Sequence, residues 1–204
     1  MADIELIQNN FNRFKEVQEK TIEAHQQEIV SLIRVFNEDY YRYLGVYKRK
    51  LGEFGLDRLE SLLQACLWEY YLESRWILYS IVSGCYHQAY REMRFLMESW
   101  AQAYHIDQIY IKKTFEEKVK CDELRLYGKR LIYKAFYESN FASELYNLYN
   151  ELSKFVHGSK EELEKYSGIE HPLNIVGPFY DRVEFVRCLN HLKQLHEYLM
   201  KMLS

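Results

Sequence analysis

The sequence predicts an all-α protein, a multi-helix up-and-down bundle with a long N-terminal helix, and three observations predict it. Only 2 prolines and 8 glycines occur among 204 residues, so long stretches carry no helix breaker. Apolar residues recur at three- and four-residue steps, the spacing of one helix face. Pairs of the form Ser/Thr/Asp-x-x-Glu stand just before several of these runs, at Asp57/Glu60, Thr114/Glu117, Ser159/Glu162 and Asp181/Glu184, as capping boxes do.

The first periodic run extends from Ile4 to Tyr47 without a glycine or proline before Gly45, and carries polar Gln18 and His25 on its apolar seam. A straight helix of that length would reach about 65 Å, whereas a compact chain of this size has a radius of gyration of about 17 Å. The helix therefore bends, projects, or pairs with another copy. Its polar middle, Lys15 to Gln27, weakens any coiled-coil seam.

A helix over 57–82 follows, apolar around most of its circumference and so expected to be central and buried. Ser83 and Gly84 turn the chain into the midpoint helix 83–108, which the short connection makes an antiparallel neighbour. Shorter helices are expected after Thr114 and over 122–137. A helix over 140–157 ends in His157 and Gly158, a left-handed cap, and a small helix starts at Ser159. Residues 167–180 hold both prolines and two glycines and read as the one long loop, with a short extended piece at 173–176. The last helix covers 181–203. The whole, six to eight helices, forms one domain over 1–204, with 1–50 available for self-association and 57–204 as the bundle core.

A net charge of −3 supplies no global basic field, so nucleic-acid contact would rest on local patches. Four scattered cysteines without a CxxC pair suit a reducing compartment. The N-terminus lacks a signal-peptide core, and the most apolar window, 76–82, is too short to span a bilayer. The expected location is cytoplasmic, with no membrane contact.

On the midpoint helix His87, Arg91, Arg94, Glu98 and His105 share one stripe. They form either a wet face or a charged seam against a second helix, and Arg94 lies nearest the apolar boundary. On helix 140–157, Ser153 and His157 sit together at the edge of the apolar face, near Tyr146. Basic residues interleave with tyrosines twice, in YYRYLGVYKRK (40–50) and RLYGKRLIYK (125–134), as in surfaces that stack bases and hold phosphates. Such stretches also arise where long basic side chains cover apolar helix edges. No metal or cofactor site is expected. No Glu-x-x-His pair occurs, Cys188, His191 and His196 are at most partial ligands, Gly128-Lys129 lacks the upstream glycine of a phosphate loop, and no GxGxxG or GxSxG is present.

The segments GCYHQAYREMRFLMES and LYNELSKFVHGS together resemble helical proteins related to the HEPN superfamily, with a Gly-aromatic start, an arginine, a glutamate four residues on, and later a serine and histidine at a helix end. Arg94, Glu98, Ser153 and His157 occupy the matching positions. The resemblance implies an all-α, homodimeric protein, either a metal-independent ribonuclease of defence or toxin systems or a binding partner of a nucleotidyltransferase. Catalytic members of that superfamily carry Arg, about four to six intervening residues, then His, a spacing that no pair of this chain has; the nearest, Arg187 and His191, has three residues between.

The expected function is a HEPN-like binding or regulatory module for RNA or a nucleotide. The alternatives are an endoribonuclease using the same site and an assembly protein with no site. In a ribonuclease, His157 or His191 would move the 2′-hydroxyl proton and Arg94 or Arg187 would stabilise the phosphorane. The candidate site comprises Arg94 and His157 as the catalytic pair, with Arg91, Glu98, Tyr149, Ser153 and Ser159 as binding residues.

Overall fold

A computed structural model of the chain describes residues 2–54, 60–121, 128–137, 139–155 and 178–203. Among them the secondary structure is entirely helical: α1 (Ala2–Phe54), α2 (Leu62–Ala65), α3 (Leu67–Val82), α4 (Tyr86–Ile109), α5 (Phe115–Val119), α6 (Gly128–Phe136), α7 (Ala142–Lys154) and α8 (Arg182–Leu203). None of these helices is long and apolar enough to cross a membrane.

The centre of the bundle is α4. It packs against α2, α3, α6, α7 and α8, and Met93, Trp100, Ala101 and Ile106 on it are wholly buried. It runs antiparallel to α3, because the two are joined through Ser83 to Cys85 while Tyr70 near the start of α3 donates to the Ser99 carbonyl far along α4. The turn contains Gly84 at φ +71, in the left-handed region that glycine tolerates best.

The long first helix bends. At His25 the backbone leaves helical geometry (φ −136, ψ 24), and the chain meets the bundle on either side of the bend, through Val17 and Gln18 before it and Ile29 to Tyr40 after it. Beyond the bend Ile29, Leu32, Phe36 and Tyr40 are buried on one stripe, against α3 and α8. The polar residues that weaken the seam as a coiled coil are its anchors within the chain. Gln18 Nε2 donates to Ser83 Oγ at 2.7 Å, and His25 stacks on Phe185 at 4.1 Å with its Nε2 3.1 Å from the Tyr180 hydroxyl. The apolar stripe 29–40 is thus used up inside one chain.

The expected helix 57–82 differs from the sequence reading in three ways. The helix expected to begin at Asp57 starts, within the described residues, at Ser61, whose hydroxyl caps Gln64 N; Asp57 itself lies outside them. A break at Cys66 (φ −84, ψ 2) divides it into α2 and α3. Nor is α3 buried all round: Trp68, Leu72, Trp76 and Tyr79 are about half exposed, because only one side of it meets α4 and α8 and α1 covers only part of the rest.

The capping box at Thr114/Glu117 is formed on both sides. Asp181 starts the last helix, its carboxylate accepting from Val183 N and Glu184 N. The left-handed cap at Gly158, the helix start at Ser159 and the extended piece 173–176 lie outside the described residues, as does 167–177 of the loop.

Candidate functional site

Where α4 passes α7, the midpoint stripe divides into a wet part and a seam. Arg94 and Glu98, one turn apart, pair at 3.1 Å with each side chain 17% exposed, too covered for a free surface pair. From α7 the Tyr149 hydroxyl donates to the same Glu98 Oε1 at 2.7 Å, and the Arg94 guanidinium lies 5.3 Å from the Tyr149 ring centroid. The carboxylate thus accepts from two helices, and the guanidinium rests on the tyrosine face. Burial, and then the adjacent Glu98 carboxylate, raise the Tyr149 phenol above its usual pKa, so it stays a donor.

Of the seven residues expected at the site, the structure brings these three together. Ser153 is one turn away but donates back to the Tyr149 carbonyl at 2.7 Å, an intrahelical bond. Arg91 is exposed, on the wet part of the stripe. His157 and Ser159 lie outside the described residues.

Beside this seam α6 begins at Gly128, again with positive φ (+66). A Cβ there would sit 3.3 Å from the Tyr149 hydroxyl. The absence of a side chain lets α6 approach the seam closely, and the next residues open into a groove of about 660 Å³ between α6 and α7. Lys129, Arg130, Tyr133, Tyr137, Ser143 and Tyr146 line it. Lys129 Nζ lies 6.0 Å from the Tyr146 ring centroid, and the Tyr133 and Tyr137 rings are 5.3 Å apart. Both basic residues, Tyr133 of α6 and Tyr137 just beyond its end are exposed. The spacing 129, 130, 133, 137 is that of one helix face, which is the signal for this cluster in the sequence; Tyr146 and Ser143 join it only through the packing of α7.

The other basic-aromatic stretch is divided, with Tyr40 and Tyr43 turned to packing and Tyr41, Arg42, Lys48 and Arg49 exposed. Tyr40 is buried and stacked 4.3 Å from Tyr71, Arg42 pairs with Asp39, and the Tyr43 hydroxyl donates to the Met200 carbonyl.

The second Arg/His pair sits on α8. Arg187 donates to Glu184 at 2.8 Å, and Glu184 in turn accepts from Tyr90 at 3.2 Å, so the guanidinium is held by a carboxylate. Burial pushes the Cys188 thiol up to about 12, an inert thiol. Cys188 faces Tyr90, whereas His196 contacts Asp39 Oδ2 at 2.9 Å and Phe36. His191 also meets the Tyr90 ring, at 5.8 Å, so of the three partial ligands His196 points away from the other two. Among the described residues no cluster of three or more His, Cys, Asp or Glu is placed to hold a metal.

Burial lowers the pKa of both His191 and His196 below the usual 6.5, in His196 against the opposing pull of Asp39. The folded chain thus holds them neutral while the unfolded chain takes up protons near pH 6.5. Their contribution is fully present above that value and is lost as the pH falls from it towards the lower folded values. Urea midpoints should drop between about pH 7.5 and 5.5, and the His191→Gln/His196→Gln variant should flatten that slope.

Searched against family models, curated proteins and solved structures, the chain finds no match.

Proposed function

We propose that this protein is a HEPN-like binding module for single-stranded RNA, with the α6–α7 groove as the binding surface and the Arg94–Glu98–Tyr149 seam fixing α7 against α4 beside it. The observation that carries this reading is the groove lining: two exposed cations beside three tyrosine rings. Cations hold phosphates without regard to sequence, and ring faces stack bases. The acidic whole-chain balance of −3 makes such contact local, confined to this face. A binding role suits the seam better than catalysis, because the positive charge of Arg94 is already compensated by Glu98 and held on Tyr149; a phosphorane would have to displace that carboxylate.

Fluorescence anisotropy with a labelled single-stranded RNA of about ten nucleotides tests this. Tyr133→Ala with Tyr137→Ala should weaken binding about tenfold or more, at 1–3 kcal/mol per lost stack. Lys129→Glu with Arg130→Glu should weaken it further and flatten the salt dependence. Absence of binding by the wild type, or equal binding by both variants, would remove the proposal.

A further inference from the structure

Charge is distributed unevenly along the α6–α7 groove. The two helices form an antiparallel hairpin, with Gly128 at the Tyr149 hydroxyl, Lys129 at the Tyr146 ring and Phe136 against Phe141. Both cations of the lining, Lys129 and Arg130, belong to the first turn of α6, which carries no acidic residue. Tyr133 stands one turn further along and Tyr137 just past the helix end, with Ala142 and Ser143 of α7 lining the same half. No described cation lines that half. Lys134 is turned about 100° around α6 from Tyr133, and Lys201 rests 4.9 Å from the Tyr198 ring and 5.8 Å from that of Phe141. Next to Ser143 stands a carboxylate instead, Glu144, which accepts from the Tyr198 hydroxyl at 3.1 Å.

Cations gathered at one end select one part of a strand. A strand lying lengthwise offers a singly charged phosphodiester at every nucleotide, and a surface that tracks it repeats its cations. Lys129 and Arg130 are consecutive, with Cα atoms about 3.8 Å apart, so both can meet a single phosphate. The group that such a pair matches is a terminal phosphomonoester, with a charge of about −1.5 to −2 at pH 7 and three free oxygens. Arginine can hold two of those oxygens side by side, and lysine adds a point charge. The rings beyond are then left for the terminal bases. Size agrees with this, because a groove of about 660 Å³ falls among sites that enclose one small ligand and not an extended polymer.

We propose that the groove takes the phosphorylated end of a single-stranded RNA, with the terminal phosphate on Lys129 and Arg130 and the last bases on Tyr146, Tyr133 and Tyr137. The inference rests on the RNA-binding reading and narrows it, from any single strand to one that ends in a phosphomonoester.

Fluorescence anisotropy on the full chain tests it, with one RNA of about ten nucleotides labelled at an internal base and prepared with a 5′-phosphate, with a 3′-phosphate, or with hydroxyls at both ends. A phosphorylated strand should bind about tenfold or more tighter than the hydroxyl-ended one, and the arm that gains names the end. Lys129→Gln with Arg130→Gln should abolish that ratio. Tyr133→Ala with Tyr137→Ala should weaken all three strands and leave the ratio in place, which separates phosphate recognition from stacking. Equal binding of the three strands by the wild type would overturn the inference while leaving RNA binding intact, and so would a ratio that survives Lys129→Gln with Arg130→Gln. Failure of every strand to bind would remove the RNA-binding reading and this inference together.

Discussion

Replacing Asp107 by alanine should cost about 3–5 kcal/mol of stability, the range for leaving one partner of a buried ion pair uncompensated. Asp107, on α4, accepts from Lys118 Nζ at 3.0 Å, and that lysine side chain is only 4% exposed. The same carboxylate accepts from the Ser61 hydroxyl and from Leu62 N and Leu63 N, the free amides at the start of α2. Lys118 also donates to the Glu60 carbonyl at 2.6 Å, and Glu60 in turn accepts from Phe115 N at the start of α5. One carboxylate thereby ties α2, α4 and α5. Urea unfolding measures the loss, and Asp107→Ala combined with Lys118→Met should recover a large part of it, because no unpaired ammonium then remains buried. If the double variant is as unstable as the single one, the cost lies in the lost helix cap and not in the charge.

Gly84→Ala should destabilise by about 3 kcal/mol or more, combining a left-handed backbone cost of 1–2 kcal/mol with steric overlap. A Cβ at this position would lie 2.3 Å from the Phe179 carbonyl oxygen and 2.8 Å from both Phe179 N and Val17 Cγ1. Two of those neighbours are backbone and cannot rotate away. Phe179 leads into α8 and Val17 belongs to α1, so the α3–α4 turn is where three parts of the chain close on one another. Two further glycines calibrate the effect. Gly128→Ala, with positive φ but only the Tyr149 hydroxyl at 3.3 Å, should cost less. Gly45→Ala, inside α1 with nothing within 4 Å, should be neutral or stabilise by up to about 1 kcal/mol. Thermal melts of the three variants should fall in that order.

The sequence made the helices legible where local chemistry determines them. Thr114/Glu117 and Asp181 cap as their spacing indicates, and α4, α7 and α8 follow their apolar stripes. What it concealed depends on distant partners. The start of α2 is capped by Asp107, more than forty residues away, so no local pattern could displace the expected start at Asp57. Nor could the period of α3 tell buried from exposed aromatics, because tryptophan is apolar on either side of a helix. The polar residues in the middle of α1 argue against a coiled coil, yet Gln18 and His25 meet Ser83 and Tyr180, contacts visible only once the chain has folded back.

The candidate site was legible in part for the same reason. Arg94 and Glu98 are one turn apart and pair on spacing alone, and Tyr149 joins them because α7 crosses α4 there. The groove required the opposite emphasis. Its lysine, arginine and tyrosines form a pattern that nineteen tyrosines make common in this chain, and the concavity between α6 and α7 distinguishes RLYGKRLIYK from the stretch at 40–50, whose Tyr40 and Tyr43 are turned to packing.

The most direct test of that groove is ultraviolet cross-linking of the wild-type protein to a uridine-rich single-stranded RNA, followed by peptide mass spectrometry. The RNA-binding account predicts adducts on Tyr133, Tyr137 or Tyr146, lost when Lys129 and Arg130 are both changed to glutamate. Adducts confined to other surfaces, such as the Trp68–Trp76 face, or no adducts at all would contradict it.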